Sequence, residues 1–164
     1  MFVKLLKISF GIYLAAYIAN LISYKIMKKR ILQRKKWDLN ICCGHTNGGG
    51  INADIVKHSD VPNFVKIDDI YKLPFSDKQF KTVLCSHTIE HVDNPEKFLQ
   101  ELYRVGEKVT VVLPPLWDFS AAFNLIEHKW LFLTMKKEHS QLPLNIKLPI
   151  ADLIHNFFGQ KIKA

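Results

Sequence analysis

The sequence predicts an α/β domain with a mostly parallel sheet, preceded by a hydrophobic N-terminal helix. Three observations carry this prediction: short β-rich runs that follow Trp37, an amphipathic segment between the fourth and fifth of these runs, and a stretch without charge at residues 8–24. Strands of a parallel sheet are covered on both faces, so the sequence of each strand is a continuous run of apolar residues. We therefore expect a three-layer α/β/α arrangement, in which residues 116–164 leave little chain to close the sheet.

Each predicted element has its own sequence signal. Asn94 can cap a helix, Pro95 suits its first turn and Gly106 ends it, with apolar residues at helical spacing between them. Gly44 ends the first β-rich run, and Pro114 follows the fifth. The predicted strands are residues 38–43, 50–56, 63–69, 80–86 and 108–113, and the predicted helix is 94–106.

The charge of the chain is concentrated at its N-terminus. The sequence has 23 Lys+Arg and 15 Asp+Glu, a net charge of +8, and residues 1–36 hold nine of the basic residues and no acidic one. The remaining 14 basic and 15 acidic residues nearly cancel, so residues 37–164 have no basic excess for nucleic acid and we expect no nucleic-acid binding. Three cysteines, at 42, 43 and 85, are too few for a disulfide framework.

Residues 1–36 are interpreted as a membrane-anchor helix with a basic juxtamembrane segment, and 37–164 as the folded domain. The 17 uncharged residues 8–24 span about 26 Å as a helix, and residues 2–6 extend this toward the ~30 Å hydrocarbon core. Seven basic residues follow the apolar run and two precede it. The positive-inside rule then predicts a membrane-anchored protein, inserted through residues 2–24, with its C-terminal domain in the cytoplasm.

Two other interpretations of the N-terminal segment stay open. A cleavable signal peptide normally carries its charge before the apolar run, which disfavours that alternative here. A helix lying on the bilayer or on the domain is the other alternative, because Tyr13, Tyr17, Asn20 and Ser23 form a mildly polar stripe.

Six short segments in order give the folded part its resemblance to a known family. They are residues 39–44 (LNICCG), 52–55 (NADI), 73–75 (LPF), 80–83 (FKTV), 86–92 (SHTIEHV) and 98–105 (FLQELYRV). Together they resemble the class I S-adenosylmethionine-dependent methyltransferases over roughly residues 38–115. The resemblance implies a Rossmann-like fold, S-adenosyl-L-methionine as cofactor and methyl transfer as the activity.

The resemblance also implies cofactor contacts at successive strand ends, where ligands of parallel sheets bind. The turn at Cys42 and Gly44 would receive the methionine part, and Asp54 would accept the ribose hydroxyls. Asp69 would face the adenine amino group, with Ile70 packed near the ring. Ser86 and His87 would line the reactive end of the cofactor. The simpler alternatives are an ordinary turn for Gly44 and capping or solvated roles for Asp54 and Asp69.

The sequence departs from the family pattern at the first turn. Asn40 stands where the family usually has an acidic residue, and Cys42 stands where it has glycine. Only residues 44–50 (GHTNGGG) separate the first two strands, which is too short for a helix, so loop N–H groups must replace a helix N-terminus. These departures keep a second hypothesis open, a non-catalytic membrane-tethered scaffold or interaction module.

Two further clusters have weaker chemical interpretations. Residues 87–91 (HTIEH) fit an inverted zinc-protease motif, but that motif requires a helix, and we expect no metal. His128, within residues 117–130, could serve as a general base. We favour instead a helix there that packs on the sheet. The sequence predicts a small or lipid-like acceptor, and the anchor alone suggests a lipid, a quinone-like molecule or a lipid-linked glycan.

Overall fold

The computed structural model describes residues 2–124, 126–148, 152–153 and 157. Its helices are α1 (Phe2–Asn20), α2 (Lys28–Gln33), α3 (Pro95–Val105) and α4 (Phe119–Ala122), and a π-helical segment, Leu21–Met27, joins α1 to α2. The strands are β1 (Trp37–Ile41), β2 (Gly49–Asp54), β3 (Phe64–Lys66), β4 (Phe80–Ser86), β5 (Gly106–Val112), β6 (Trp130–Phe132), β7 (Glu138–His139) and β8 (Asn145–Lys147).

The main sheet has six strands in the order β3-β2-β1-β4-β5-β7. The five strands β1 to β5 pair in parallel, and β7 adds an antiparallel edge to β5 through Val111–His139 and Val112–Glu138. All five predicted strands are therefore confirmed within a few residues at each end. The α/β fold with a mostly parallel sheet is confirmed as well.

The α3 helix covers one face of this sheet. Phe98, Leu102 and Val105 point from it into a core that includes Val83 and Leu39, and all five side chains are fully buried. Asn94 caps the helix by accepting a hydrogen bond from the Lys97 N–H at 2.9 Å, as its sequence predicts.

The other face is covered in part by the end of the N-terminal helix, which we define as residues 2–33. Ile31 is buried against Trp37, Leu84 and Val112, with Leu32 packed beside them. The Trp37 indole N–H donates to the Ile31 carbonyl at 3.2 Å. The last turns of this helix thus belong to the core of the domain, although we had assigned residues 1–36 to a separate anchor.

Most of the N-terminal helix before this point is exposed and apolar. Ile8, Phe10, Ile12 and Tyr13 are among its exposed large side chains. Among the described residues, one helix, Lys7–Gln33, is long and apolar enough to cross a membrane by length and composition. Such a helix is compatible with an anchor, and a signal sequence would pass the same test.

The predicted helix within residues 117–130 was wrong. Among the described residues of this range, 117–124 and 126–130, the structure has the single turn of α4, followed by turns and the start of β6. Its apolar side chains are not all on a packed face, since Phe119 and Phe123 are 62% and 45% exposed. The sequence GQKIKA at residues 159–164 is typical of a strand, but it lies outside the described residues, as does most of the apolar segment 150–158.

Candidate functional site

Two cavities meet where the order of the strands reverses, between β1 and β4. In parallel sheets this switch point is where loops diverge and leave a crevice. The strand-end cavity, about 700 Å³, lies beyond β1, β2 and β3 and is lined by Asp54, Lys66, Ile70 and Thr88 among others. The helix-side cavity, about 560 Å³, lies between the sheet and the N-terminal helix.

The two cavities share part of their walls. Five side chains or backbone segments line both of them: Cys42, Gly44, His58, His87 and His91. A molecule in one cavity can therefore reach a molecule in the other across the turn after β1 and the turn after β4. Both volumes lie within the range of about 300–1,000 Å³ that small-molecule sites occupy.

Asp54 ends β2 and faces the strand-end cavity. One of its carboxylate oxygens accepts the Gly44 N–H at 2.8 Å, and the other accepts the Ile55 N–H at 2.8 Å. Each carboxylate oxygen has a second lone pair left for a ligand hydroxyl. Gly44 has a φ of +53°, and nothing lies within 4 Å of the position a Cβ would take, so a ligand can approach its backbone closely.

A network of side-chain amides holds the short loop between β1 and β2. The buried Asn40 donates from Nδ2 to the Thr46 carbonyl at 3.0 Å and to Asn52 Oδ1 at 3.1 Å. The same Asn52 oxygen accepts the Gly48 N–H at 2.9 Å. Asn40 therefore fixes a loop that is too short to contain a helix.

Cys42 lines both cavities and has a left-handed backbone, with φ 51°. This conformation costs little for glycine and is strained for other residues. Burial raises the pKa of the Cys42 thiol well above its usual value, and the neighbouring Cys85 adds to the shift. The side chain is therefore a neutral thiol rather than a nucleophile.

The end of β3 places the two adjacent aspartates differently. Ile70 is buried in the wall of the strand-end cavity, where we predicted an apolar contact. Asp68 lines the same cavity, whereas Asp69 accepts the Tyr71 N–H at 2.7 Å and closes a turn. Of the two, Asp68 lines the cavity, whereas Asp69 is the residue that the resemblance indicates.

Ser86 ends β4 and His87 follows it, and both face the helix-side cavity. His87 also lines the strand-end cavity and has a left-handed backbone, with φ 55°. Its Nε2 lies 2.9 Å from Lys137 Nζ, and its Nδ1 lies 3.3 Å from Glu90 Oε1. A lysine, an imidazole and a carboxylate thus form a chain at the junction of the two cavities.

Burial sets the protonation states of these three side chains. It lowers the pKa of His87 and brings that of Lys137 to about 8. Burial alone would raise the pKa of Glu90. The contact with His87 and the nearby His91 and His128 outweigh the effect of burial, and the pKa of Glu90 is lowered below its usual value. Near neutral pH, Lys137 is therefore an ammonium, His87 a neutral imidazole and Glu90 a carboxylate.

The helix-side cavity also contains residues that the sequence did not identify. Asn20, Tyr24 and Lys28 line it from the N-terminal helix, and Lys28 Nζ lies 4.5 Å from the centre of the Tyr24 ring. Asn124 lines it from the segment after α4. The spacing of Asn20, Tyr24 and Lys28 at every fourth position is a signal that they share one helix face.

Residues 87–91 form a turn, in which the His91 N–H donates to the Thr88 carbonyl at 2.9 Å. The inverted zinc-protease motif requires both histidines on one face of a helix. Residues 87–91 therefore lack the helical geometry that this motif requires.

Comparison with known proteins gives one family match. Residues 51–110 match the model of a methyltransferase domain. No curated protein matches the chain.

Several solved structures resemble the chain at low sequence identity. A SAM-dependent methyltransferase from Aquifex aeolicus is 15% identical, with a TM-score of 0.42, over 57% of this chain and 66% of that one. A SAM-dependent methyltransferase from Thermotoga maritima, described as a possible histamine N-methyltransferase, is 22% identical, with a TM-score of 0.39, over 70% of this chain and 59% of that one. A Pyrococcus horikoshii protein is 16% identical, with a TM-score of 0.44, over 85% of this chain and 80% of that one. The chain therefore spans less than two thirds of the first two.

Proposed function

We propose that this chain, whose residues 51–110 match the model of a methyltransferase domain, transfers a methyl group from S-adenosylmethionine to an amphiphilic acceptor at a membrane. The cofactor would occupy the strand-end cavity and the acceptor the helix-side cavity. The observation that carries the proposal is the pair of adjoining cavities with His87 and His91 in both walls.

The residues of the strand-end cavity fit this cofactor. Asp54 offers free lone pairs to ribose hydroxyls, Gly44 leaves open space at its backbone, and Ile70 supplies an apolar wall for a base. Asp68 lies close enough to the cavity to replace Asp69 as the polar contact to the adenine. The chemistry that the cofactor supplies is a methyl group on a sulfonium.

The helix-side cavity suits the polar part of an acceptor. Its wall carries Asn20, Lys28 and Asn124, and Lys28 is a cation on the helix that leads away from the membrane segment. Polar and cationic groups of this kind bind a headgroup or a hydroxylated ring. An acceptor bound there would lie directly against the residues that line the cofactor cavity.

The apolar part of the acceptor would remain in the bilayer. The α1 helix packs against α4, and the exposed rings of Phe119 and Phe123 stack at 6.1 Å on that same side. Clustered exposed aromatic rings are typical of a surface that contacts membrane or another protein. Seven basic residues follow the apolar run, which supports a cytoplasmic position for the domain.

The protein would act mainly by alignment. The cofactor would supply an electrophilic methyl group, and the residues of the two cavities would hold this group in line with the acceptor atom. Holding donor and acceptor in line and excluding water accounts for a large part of such a rate enhancement. His87 and His91, at the junction of the cavities, would position both molecules.

Calorimetric titration of the full chain in detergent micelles with S-adenosylmethionine tests the cofactor site. We expect micromolar affinity for the wild type and a loss of about tenfold or more for Asp54→Asn, because a hydrogen bond to a charged group is worth about 1.5–3 kcal/mol. Asp77→Asn is the matched control, since Asp77 is exposed and pairs with Arg104 at the opposite end of the sheet. No binding by the folded wild type would favour the scaffold hypothesis.

Incubation with labelled cofactor and membrane lipid extract tests the acceptor. We expect label to move into the organic phase, with less transfer by Lys28→Met and unchanged cofactor affinity in that variant. Label that stays in water-soluble products would contradict an amphiphilic acceptor while leaving the methyltransferase proposal intact.

A further inference from the structure

We propose that Glu90, His91 and His128 form a binding site for a divalent transition-metal ion, with Zn²⁺ as the best fit. One ligand atom from each of the three residues lies within 4.8 Å of the other two. The site opens into the helix-side cavity, whose wall includes all three residues. This inference goes beyond the proposed methyl transfer and does not depend on it.

Glu90 supplies the strongest indication. Its side chain is 1% exposed, and within the described part of the chain neither of its carboxylate oxygens has a hydrogen-bond partner. A buried carboxylate without hydrogen bonds is costly, and proteins usually offset that cost with a cation or a donor. The nearest described group is the His87 ring, whose Nδ1 lies 3.3 Å from Oε1. A metal can still bind Oε2 or the second lone pair of Oε1.

His91 is oriented as a ligand. Its Nδ1 lies 2.7 Å from the Glu127 carbonyl oxygen, which can only accept, so Nδ1 carries the proton. The lone pair is therefore on Nε2, the other ring nitrogen. A histidine that donates one N–H to a carbonyl and points its other nitrogen at a metal is the usual arrangement in metal sites.

The backbone brings His128 to the same place. The Glu90 carbonyl accepts the Lys129 N–H at 2.8 Å and the Trp130 N–H at 3.1 Å, which ties the turn after β4 to the segment before β6. His128 Nε2 then lies 4.0 Å from Glu90 Oε1, and its ring meets that of His91 edge-on at 4.7 Å. His128 is 6% exposed, so the three groups face one another in a sheltered pocket.

The donor set determines the kind of ion. Two imidazoles and one carboxylate suit Zn²⁺, with nitrogen and oxygen about 2.0–2.2 Å from the metal and hence about 3.3–3.5 Å from each other. The three groups must therefore draw together by about 1 Å. Three protein ligands leave a fourth position open, facing the helix-side cavity. If the proposed function holds, the acceptor would bind there.

Metal content of the purified full chain tests the site. The protein in detergent is stripped with a chelator, given Zn²⁺ without cofactor, passed through gel filtration and analysed by mass spectrometry. We expect one equivalent of zinc in the wild type and in His139→Asn, because His139 lies on β7 and contacts Thr134 instead. We expect His128→Asn and Glu90→Gln to lose at least about 10–100-fold in affinity, which is what even outer-shell changes cost.

Co²⁺ provides a second measurement that does not depend on activity. A tetrahedral site with bound Co²⁺ absorbs visible light strongly, and we expect this band in the wild type and in His139→Asn but not in His128→Asn. Circular dichroism confirms that each variant is folded, and His91→Asn replaces Glu90→Gln if the buried amide prevents folding. Zinc retained equally by the folded wild type and His128→Asn, or by neither, would overturn the site. Loss of cofactor binding with zinc retained would instead count only against the proposed function.

Discussion

Lys137 joins the N-terminal helix to the end of β4 through one buried ammonium group. Its Nζ lies 2.8 Å from Ser23 Oγ and 2.9 Å from His87 Nε2. Ser23 is fully buried in the π-helical segment of the N-terminal helix, and interruptions of this kind are frequent at functional sites. The helix that would anchor the protein is therefore linked to a residue of the candidate site by the Lys137 side chain, in addition to the contact of the Tyr24 ring with the His87 ring.

Replacing Lys137 with methionine should change how stability depends on pH. The pKa of Lys137 is about 8 in the folded protein and 10.5 in its ordinary state. Between these values the unfolded chain binds more protons than the folded one, so the stability of the wild type rises with pH. Relative to Lys137→Met, the wild type should gain at most about 3 kcal/mol between pH 8 and 10.5.

Denaturant unfolding of both proteins in micelles at pH 7.5, 9 and 10.5 measures this difference. Other groups that titrate in this range are present in both proteins, so they cancel in the comparison. A constant difference between the two proteins across these pH values would show that burial does not lower the pKa of Lys137.

Ser23→Ala should destabilise the domain even though Ser23 lies in the N-terminal helix. The change leaves the buried Lys137 without one of its acceptors, which costs about 1–3 kcal/mol. Ser140→Ala is the matched control, since Ser140 is exposed and the same atoms are removed. Equal melting temperatures for the two variants would mean that the helix and the domain are not coupled through Ser23.

The sequence predicted the sheet well because its signals are local. Each of the strands β1 to β5 is an apolar run of its own, and Asn94, Pro95 and Gly106 mark the ends of α3. The predicted helix at 117–130 failed because those apolar residues cover no single face. Instead, Trp130 pairs in β6 with Lys147 of β8, a partner that only the fold supplies.

The candidate site was predictable only where it follows strand ends. Gly44, Asp54 and His87 were identified in this way, and all three line the cavities. Lys137 and His128 were not assigned to the same site, because they are distant in sequence from the strand ends they contact. Their approach depends on long-range pairing, such as the contacts of Glu90 with the segment before β6, that no local pattern reveals.

Gly50→Ala should disrupt the start of β2. A Cβ there would lie 2.3 Å from the Trp37 carbonyl oxygen and 2.5 Å from that of Asp38, which are backbone atoms of the paired strand. Overpacking against side chains alone costs about 1–3 kcal/mol. Backbone atoms of a paired strand can move less than side chains, so the loss of stability should be at least this large. Gly11→Ala is the control, because nothing lies within 4 Å of its Cβ position. A similar melting temperature for both variants would contradict the close approach of β1 and β2.

Cys42→Gly should tighten cofactor binding. The φ of 51° at Cys42 is one that glycine adopts freely, and the thiol occupies the wall shared by the two cavities. Glycine would relieve roughly 1 kcal/mol of backbone strain and open the turn to closer approach of a ligand. Calorimetric titration with S-adenosylmethionine should then show a severalfold lower Kd.

Cys42→Ala separates the two causes of that gain. Alanine removes the sulfur but keeps the Cβ, so it enlarges the cavity without relieving the backbone strain at residue 42. An affinity that improves only in Cys42→Gly would assign the effect to the backbone, and equal improvement in both variants would assign it to the volume of the thiol. Weaker binding in Cys42→Gly would mean that the thiol itself contacts the cofactor, which would make this departure from the family pattern a functional one.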